Sequence, residues 1–127
     1  MDLSISIDAR NGLPDNRAHI ALSGHLDSST AADFEQFVAE QIGEEITILV
    51  MDLEKLVYIS SEGLRVLAKT RKLMRQRGGT TSFVNPSPQV RKVFEIVRVA
   101  PLNEVFTSIE ELDAYLLAMQ RKVSSQA

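Results

Sequence analysis

The chain opens with apolar and polar residues that alternate with a period of two. Residues 3–7 read Leu-Ser-Ile-Ser-Ile, which is typical of a strand that buries one face. Turn-forming residues follow in the pairs Asn11-Gly12 and Pro14-Asp15. The apolar run at 19–22 then predicts a returning strand that ends at Ser23-Gly24. We therefore expect the fold to begin with a β-hairpin.

The next segment has the spacing of a helix with one apolar face, and Gly43 stops it. The apolar residues that recur at this spacing are Phe34, Phe37, Val38 and Ile42. Three residues just before this stripe have side chains suited to the helix N-cap: Asp27, Ser28 and Ser29.

A nearly continuous apolar run follows at residues 46–53, ITILVMDL. It is rich in branched residues and predicts a central strand buried on both faces, as in a mixed or parallel sheet covered by helices. Residues 54–61 are expected to form a loop. A second helix is predicted from about Glu62 to Arg77, and Gly78-Gly79 ends it.

The rest of the chain continues this alternation. We expect a short strand at 80–85, a third helix opened by Pro86 and Pro88, and a short edge strand at 104–106. A last helix is predicted from an apolar stripe formed by Ile109, Leu112, Leu116, Met119 and Val123. The order β-β-α-β-α-β-α-(β)-α predicts one α/β domain over residues 1–127, with right-handed crossovers. A flavodoxin-like fold is disfavoured by the opening hairpin, and a ferredoxin-like fold by the number of helices.

Composition narrows the classes of function. The chain has no cysteine, which excludes a disulfide framework, a thiolate zinc site and a thiol nucleophile. A net charge of -3 does not favour a nucleic-acid partner. No apolar run approaches the ~20 residues of a spanning helix, so no membrane association is expected. The two histidines, His19 and His25, do not form a cluster with metal-ligand spacing. We expect neither a metal nor a cofactor.

The candidate chemistry lies at Ser60-Ser61, where the loop after the central strand meets the second helix. One interpretation is structural: either serine caps the helix, which contributes about 1 kcal/mol. The other is a modification site, because a phosphate at a helix N-terminus faces unpaired N–H groups and the positive end of the helix dipole. Phosphorylation there would add a charge of about -1.5 to -2 without breaking the fold.

Three blocks of the sequence resemble the signature of the STAS family, most closely its anti-sigma factor antagonists. Residues 60–64, SSEGL, are similar to the family motif that opens a helix after an apolar strand. Residues 24–31, GHLDSSTA, resemble the block at the start of the family's first helix, and residues 85–94, NPSPQVRKVF, its third helix. The blocks occur in the family's order, and the similarity runs from about Leu3 to Leu117.

This resemblance implies a mixed sheet of four to five strands with about four helices. It implies a monomeric cytoplasmic protein whose partners are an anti-sigma factor that is also a serine kinase and a PP2C-type phosphatase. The kinase would phosphorylate Ser61, with Ser60 as the second candidate. The unmodified form would bind the anti-sigma factor and release the sigma factor or another output. The partner-binding residues it implies are Asp27, Ser28, Ser60, Ser61, Glu62, Gly63, Leu64 and Arg65.

Three positions depart from the family pattern. Ser60 stands where the family has an acid, Glu62 stands where it has a small residue, and His25 replaces an acid before Leu26. Glu62 places a permanent negative charge next to Ser61.

Two other classes of function compete with a protein-binding switch. An enzyme is disfavoured because no catalytic triad, Walker loop or set of zinc ligands is present. An accessory STAS domain of a transporter, or a ligand- or nucleotide-binding signalling module, remains the alternative.

Overall fold

The computed structural model describes residues 2–7, 16–97, 105–106, 110–111, 114 and 117–118. Its elements are β1 Leu3–Ile7, β2 Arg17–Leu26, α1 Ala31–Gln41, β3 Ile48–Ile59, α2 Ser61–Gln76, β4 Thr80–Val84, α3 Pro88–Val97 and β5 Val105–Phe106.

The strands form one five-stranded sheet in the order β1-β2-β3-β4-β5. β1 pairs with β2 antiparallel, and the other three pairings are parallel. The predicted α/β architecture with a mixed sheet, an opening antiparallel pair and a short edge strand is confirmed. The apolar stripe of the predicted last helix lies outside the described residues, and so does the predicted turn at 11–15.

The core lies between the sheet and the helices, because alternate residues of the strands point to one face. Leu49, Met51 and Phe83 are fully buried there, together with Phe34 of the predicted α1 stripe. Val50 points to the opposite face and is only 1% exposed. Burial on both faces at the start of β3 is what the continuous apolar run predicted.

Two predictions about β2 and β3 are wrong. β2 does not end at Ser23-Gly24 but continues to Leu26, and residues 54–59 are not a loop but the second half of β3. The two strands remain paired along this stretch, with Leu26 opposite Ile59. The sequence conceals this pairing because register shifts interrupt the alternation of apolar and polar residues.

Other predicted bounds differ by one to three residues. β3 begins at Ile48, β4 ends at Val84, and α3 begins at Pro88 with Pro86 before it. α2 begins at Ser61 and ends at Gln76. Differences of this size are ordinary at element ends, where hydrogen bonding is incomplete.

Candidate functional site

The candidate site lies at the far end of the β2–β3 pair. We call residues 17–21 with 48–52 the near half of this ladder, and residues 23–26 with 55–59 the far half. The strands pair residue for residue in the near half, and register shifts occur at 21–23 and 24–25. Gly24 allows the second shift: its φ is +101°, and a Cβ there would lie 2.4 Å from the Asp2 carbonyl oxygen. Beyond these shifts the end of β2 lies against the start of α2.

Asp27 follows β2 and orders the turn that leads into α1. Its carboxylate oxygen Oδ1 accepts hydrogen bonds from the backbone N–H of Ser29 at 2.9 Å and from the Ser29 hydroxyl at 2.7 Å. These bonds, the hydroxyl first, lower the pKa of Asp27 below its usual 3.8. The prediction that Asp27, Ser28 or Ser29 caps α1 is wrong, because the N-cap position is Thr30. The Thr30 hydroxyl is donated to the His25 carbonyl oxygen instead.

Ser60 and Ser61 have different roles at the start of α2. Ser60 is the N-cap, and its hydroxyl oxygen accepts a hydrogen bond from the Gly63 N–H at 3.2 Å. Ser61 is the first helical residue and is exposed. Its hydroxyl forms no hydrogen bond with another residue that the structure describes. The helix cap is therefore Ser60, and the hydroxyl of Ser61 is not needed for it.

One close contact joins α2 to the end of β2. The Ser60 N–H donates to the Leu26 carbonyl oxygen at 2.9 Å, and a Cβ at Gly63 would lie 2.4 Å from that same oxygen. Only a glycine lets the helix approach β2 this closely. Because Asp27 follows Leu26 and Ser61 follows Ser60, the contact brings two of the sequence-predicted residues to one surface.

The remaining predicted residues divide by exposure. Arg65 is exposed and forms an ion pair with half-buried Glu62 at 2.8 Å. Leu64 is partly buried against the core, and Gly63 is buried. Ser28 is exposed. Direct contact with a partner can therefore involve Ser28, Ser61 and Arg65 most fully, whereas Gly63 serves the packing of α2.

Sequence reasoning missed two exposed apolar residues beside this surface. Val57 is 51% exposed and Tyr58 is 48% exposed, both in the far half of β3. The Tyr58 ring lies 6.1 Å from the His25 ring, centroid to centroid, with the planes tilted by 44°. The signal in the sequence was an apolar pair in a stretch interpreted as a loop, which is an unusual place for two such residues.

Known proteins place the chain in a family. The family model for the STAS domain matches residues 9–112. The chain belongs to the STAS family. Within the residues that the structure describes, no helix is long and apolar enough to cross a membrane, and no group of three or more histidines and acids could hold a metal ion.

Two relatives by sequence carry related names. One is BtrV of Bordetella bronchiseptica, provisionally named an anti-sigma factor antagonist, which is 40% identical over 75 residues. The other is the anti-sigma-F factor antagonist RsfB of Mycobacterium tuberculosis, 30% identical over 74 residues. The matches cover 59% and 58% of this chain, but only 65% and 57% of the relatives' own lengths.

The fold is that of a solved STAS protein. The anti-sigma factor antagonist SpoIIAA in its unphosphorylated form superposes with a TM-score of 0.67 at 21% identity. The superposition covers 91% of this chain and 98% of that one. At this identity the likeness is one of fold.

Proposed function

We propose that this chain is an anti-sigma factor antagonist in a partner-switching system. The unphosphorylated protein binds an anti-sigma factor that is also a serine kinase, which frees the sigma factor or another output. Phosphorylation of Ser61 ends the binding, and a PP2C-type phosphatase restores it. The protein acts as a monomeric, single-domain switch in the cytoplasm. Membership of the STAS family and the names of its relatives support this proposal.

The observation that carries the proposal is that two adjacent serines have different roles at the start of α2. Ser60 already accepts the Gly63 N–H, so the cap does not need the Ser61 hydroxyl. The amides of Ser61 and Glu62 precede the first helical hydrogen bond, which Leu64 donates to the Ser60 carbonyl oxygen. A phosphate on Ser61 would meet these donors and the positive end of the helix dipole. The modification is therefore compatible with an intact helix.

Phosphorylation of Ser61 would act by weakening the contact with the partner. Asp27, like any aspartate with a pKa at or below 3.8, is ionised at neutral pH, and the Glu62 carboxylate adjoins Ser61 in the chain. A phosphate would add a charge of about -1.5 to -2 to a surface that already carries acids. Like charges facing each other across a docked surface cost several kcal/mol, enough to abolish a micromolar complex.

In this proposal the chain is not an enzyme. Ser61 is the substrate of the partner's kinase activity, and the chain itself contributes recognition. A screen for hydrolysis of phosphoesters, peptides and nucleotides should show no turnover. An activity lost on Ser61→Ala would contradict the proposal.

The experiment is phosphorylation by each anti-sigma factor kinase that the source genome encodes, followed by mass spectrometry and calorimetry. We expect the phosphate on Ser61 in the wild type and in Ser60→Ala, and none on Ser61→Ala. Ser61→Glu should weaken kinase binding at least ~100-fold. The helical circular-dichroism signal should not change on phosphorylation.

A phosphate on Ser60, or none at all, would contradict the assignment of Ser61. Loss of helical signal would contradict the mechanism instead, because the modification would then act by unfolding α2.

A further inference from the structure

The far half of β3 presents two neighbouring apolar side chains that the fold leaves outside. Val57 and Tyr58 are about half exposed, while Leu56 and Ile59 on either side of them are in the core. β4 pairs with β3 only as far as Asp52, so beyond it β2 is the only strand that pairs with β3 among the described residues. These two side chains therefore lie beyond the end of the β3–β4 pairing.

The Tyr58 side chain has a neighbour that orients it. His25 is the residue opposite Tyr58 in the β2–β3 register, and the two rings are in contact range at 6.1 Å between centroids. A ring that is already held loses little conformational freedom when it enters a partner's pocket. Tyrosine is also among the residues that most often dominate the binding energy of protein interfaces.

The exposed pair lies close to Ser61 along the chain. Only Ile59 and Ser60 separate Tyr58 from Ser61, and the Ser60 N–H donates to the Leu26 carbonyl oxygen on the neighbouring strand. A partner that covers Ser61 is therefore well placed to cover Tyr58. The polar residues around Ser61 provide the part of the surface that a phosphate can change, and they offer little apolar area for affinity.

We propose that Val57 and Tyr58 form the apolar anchor of the kinase-binding surface and insert into an apolar recess of the anti-sigma factor kinase. This inference rests on the proposed function, because the occupant of the surface is the partner named there. In this arrangement Tyr58 determines how tightly the partner binds, and Ser61 determines whether it binds.

A membrane and a second copy of the chain fit this surface less well. Two apolar residues are too few to hold a protein on a bilayer, and the Asp27 carboxylate at this end of the sheet repels anionic headgroups. A symmetric dimer through this surface would bring the Asp27 carboxylates of two copies towards each other.

Calorimetry with the purified anti-sigma factor kinases of the source genome tests the anchor. Tyr58→Ala should raise the dissociation constant about 30-fold, the size expected for a central interface residue. Tyr58→Phe should stay within about threefold of the wild type, because the ring provides the buried area. Lys55→Ala, an exposed residue of the same strand, is the matched control and should bind like the wild type. Melting temperatures of all three variants should match the wild type.

The outcomes separate this inference from the proposed function. If no kinase binds the wild type, both fail. If the wild type binds, Ser61→Glu abolishes binding and Tyr58→Ala leaves it unchanged, the anchor is wrong and the function stands. Sedimentation that shows a wild-type dimer, dissociated by Tyr58→Ala while kinase affinity is unchanged, would also overturn the anchor. Recruitment to anionic vesicles that depends on Tyr58, without an effect on kinase binding, would do the same.

Discussion

The two halves of the β2–β3 ladder differ in regularity. In the near half the strands pair residue for residue, and β4 pairs with the other side of β3. One register shift separates the two halves and a second lies within the far half, where β2 is the only strand that pairs with β3 within the described part of the chain. The near half of β3 has consecutive buried residues, Leu49, Val50 and Met51, whereas its far half combines buried Leu56 and Ile59 with exposed Val57 and Tyr58.

This difference shows how one pair of strands can serve both stability and recognition. Between its two neighbouring strands, the near half of β3 is a regular ladder whose apolar side chains are buried. It therefore has little exposed apolar area for binding a partner. The register shifts break that regularity and leave consecutive side chains exposed. They also bring Leu26 against Ser60 and Gly63, which fixes the start of α2. The candidate site therefore lies where the ladder stops being regular.

Leu49→Ala tests the near half and has the largest expected effect. Leu49 is 0% exposed, and truncation of a buried leucine costs about 2–5 kcal/mol through lost contacts and the cavity it leaves. Urea unfolding measures the loss. Lys55→Ala, exposed in the far half, should change stability by less than about 0.5 kcal/mol. Equal effects of the two substitutions would mean that burial of Leu49 in the near half does not stabilise the fold.

The near half could be predicted from the sequence because its pattern follows a simple rule. A continuous apolar run predicts a strand buried on both faces, and Leu49, Val50 and Met51 are each at most 1% exposed. The apolar face of α1 was predicted for the same reason, since a helix that covers a sheet must bury one stripe. Phe34 and Val38 on that stripe are buried.

The far half could not be predicted in this way. Its register depends on Gly24, whose positive φ and contact with the Asp2 carbonyl oxygen appear only when β1, β2 and β3 are assembled. Residues 54–59 lack alternation, so their pattern resembles a loop even though the backbone pairs with β2. The motif around Ser61 was still visible, because a cap and a glycine leave a local signature. Tyr58 was missed, because its exposure depends on the register shift and on the end of the β3–β4 pairing, and not on its own neighbours in sequence.

Gly63→Ala tests the contact that joins the far half to α2. The added Cβ would lie 2.4 Å from the Leu26 carbonyl oxygen, so the helix or the strand must move. We expect a loss of about 1–3 kcal/mol, because the overpacking outweighs the better helix propensity of alanine. Hydrogen exchange should accelerate most at the Ser60 amide, which donates to that oxygen, and little at the amides of 18–20.

Ala68→Gly is the matched control for this substitution. Ala68 is exposed in the same helix, so the reverse change costs about 1 kcal/mol through backbone propensity alone. Its effect on exchange should not single out Ser60. If Gly63→Ala were as stable as the wild type, the close approach of α2 to β2 would not constrain this position.

Asp27→Asn has the smallest expected effect, and it concerns the pH dependence of stability. The folded state lowers the pKa of Asp27 below 3.8, chiefly through the hydrogen bond from the Ser29 hydroxyl. Folding therefore favours the ionised carboxylate. This contribution is present above the unfolded pKa near 3.8 and is lost as the pH falls through the lower folded value.

An asparagine keeps an oxygen for Ser29 but cannot ionise. We expect the wild type to be the more stable of the two at pH 7, and the difference to disappear in acid. Urea unfolding between pH 7 and about pH 2 measures it. Glu44→Gln, a loss of charge at another exposed position, is the matched control for the change of charge. A stability difference between Asp27→Asn and the wild type that persists at the lowest pH would show that the substitution acts by altering the turn, and that the ionised carboxylate is not what holds it.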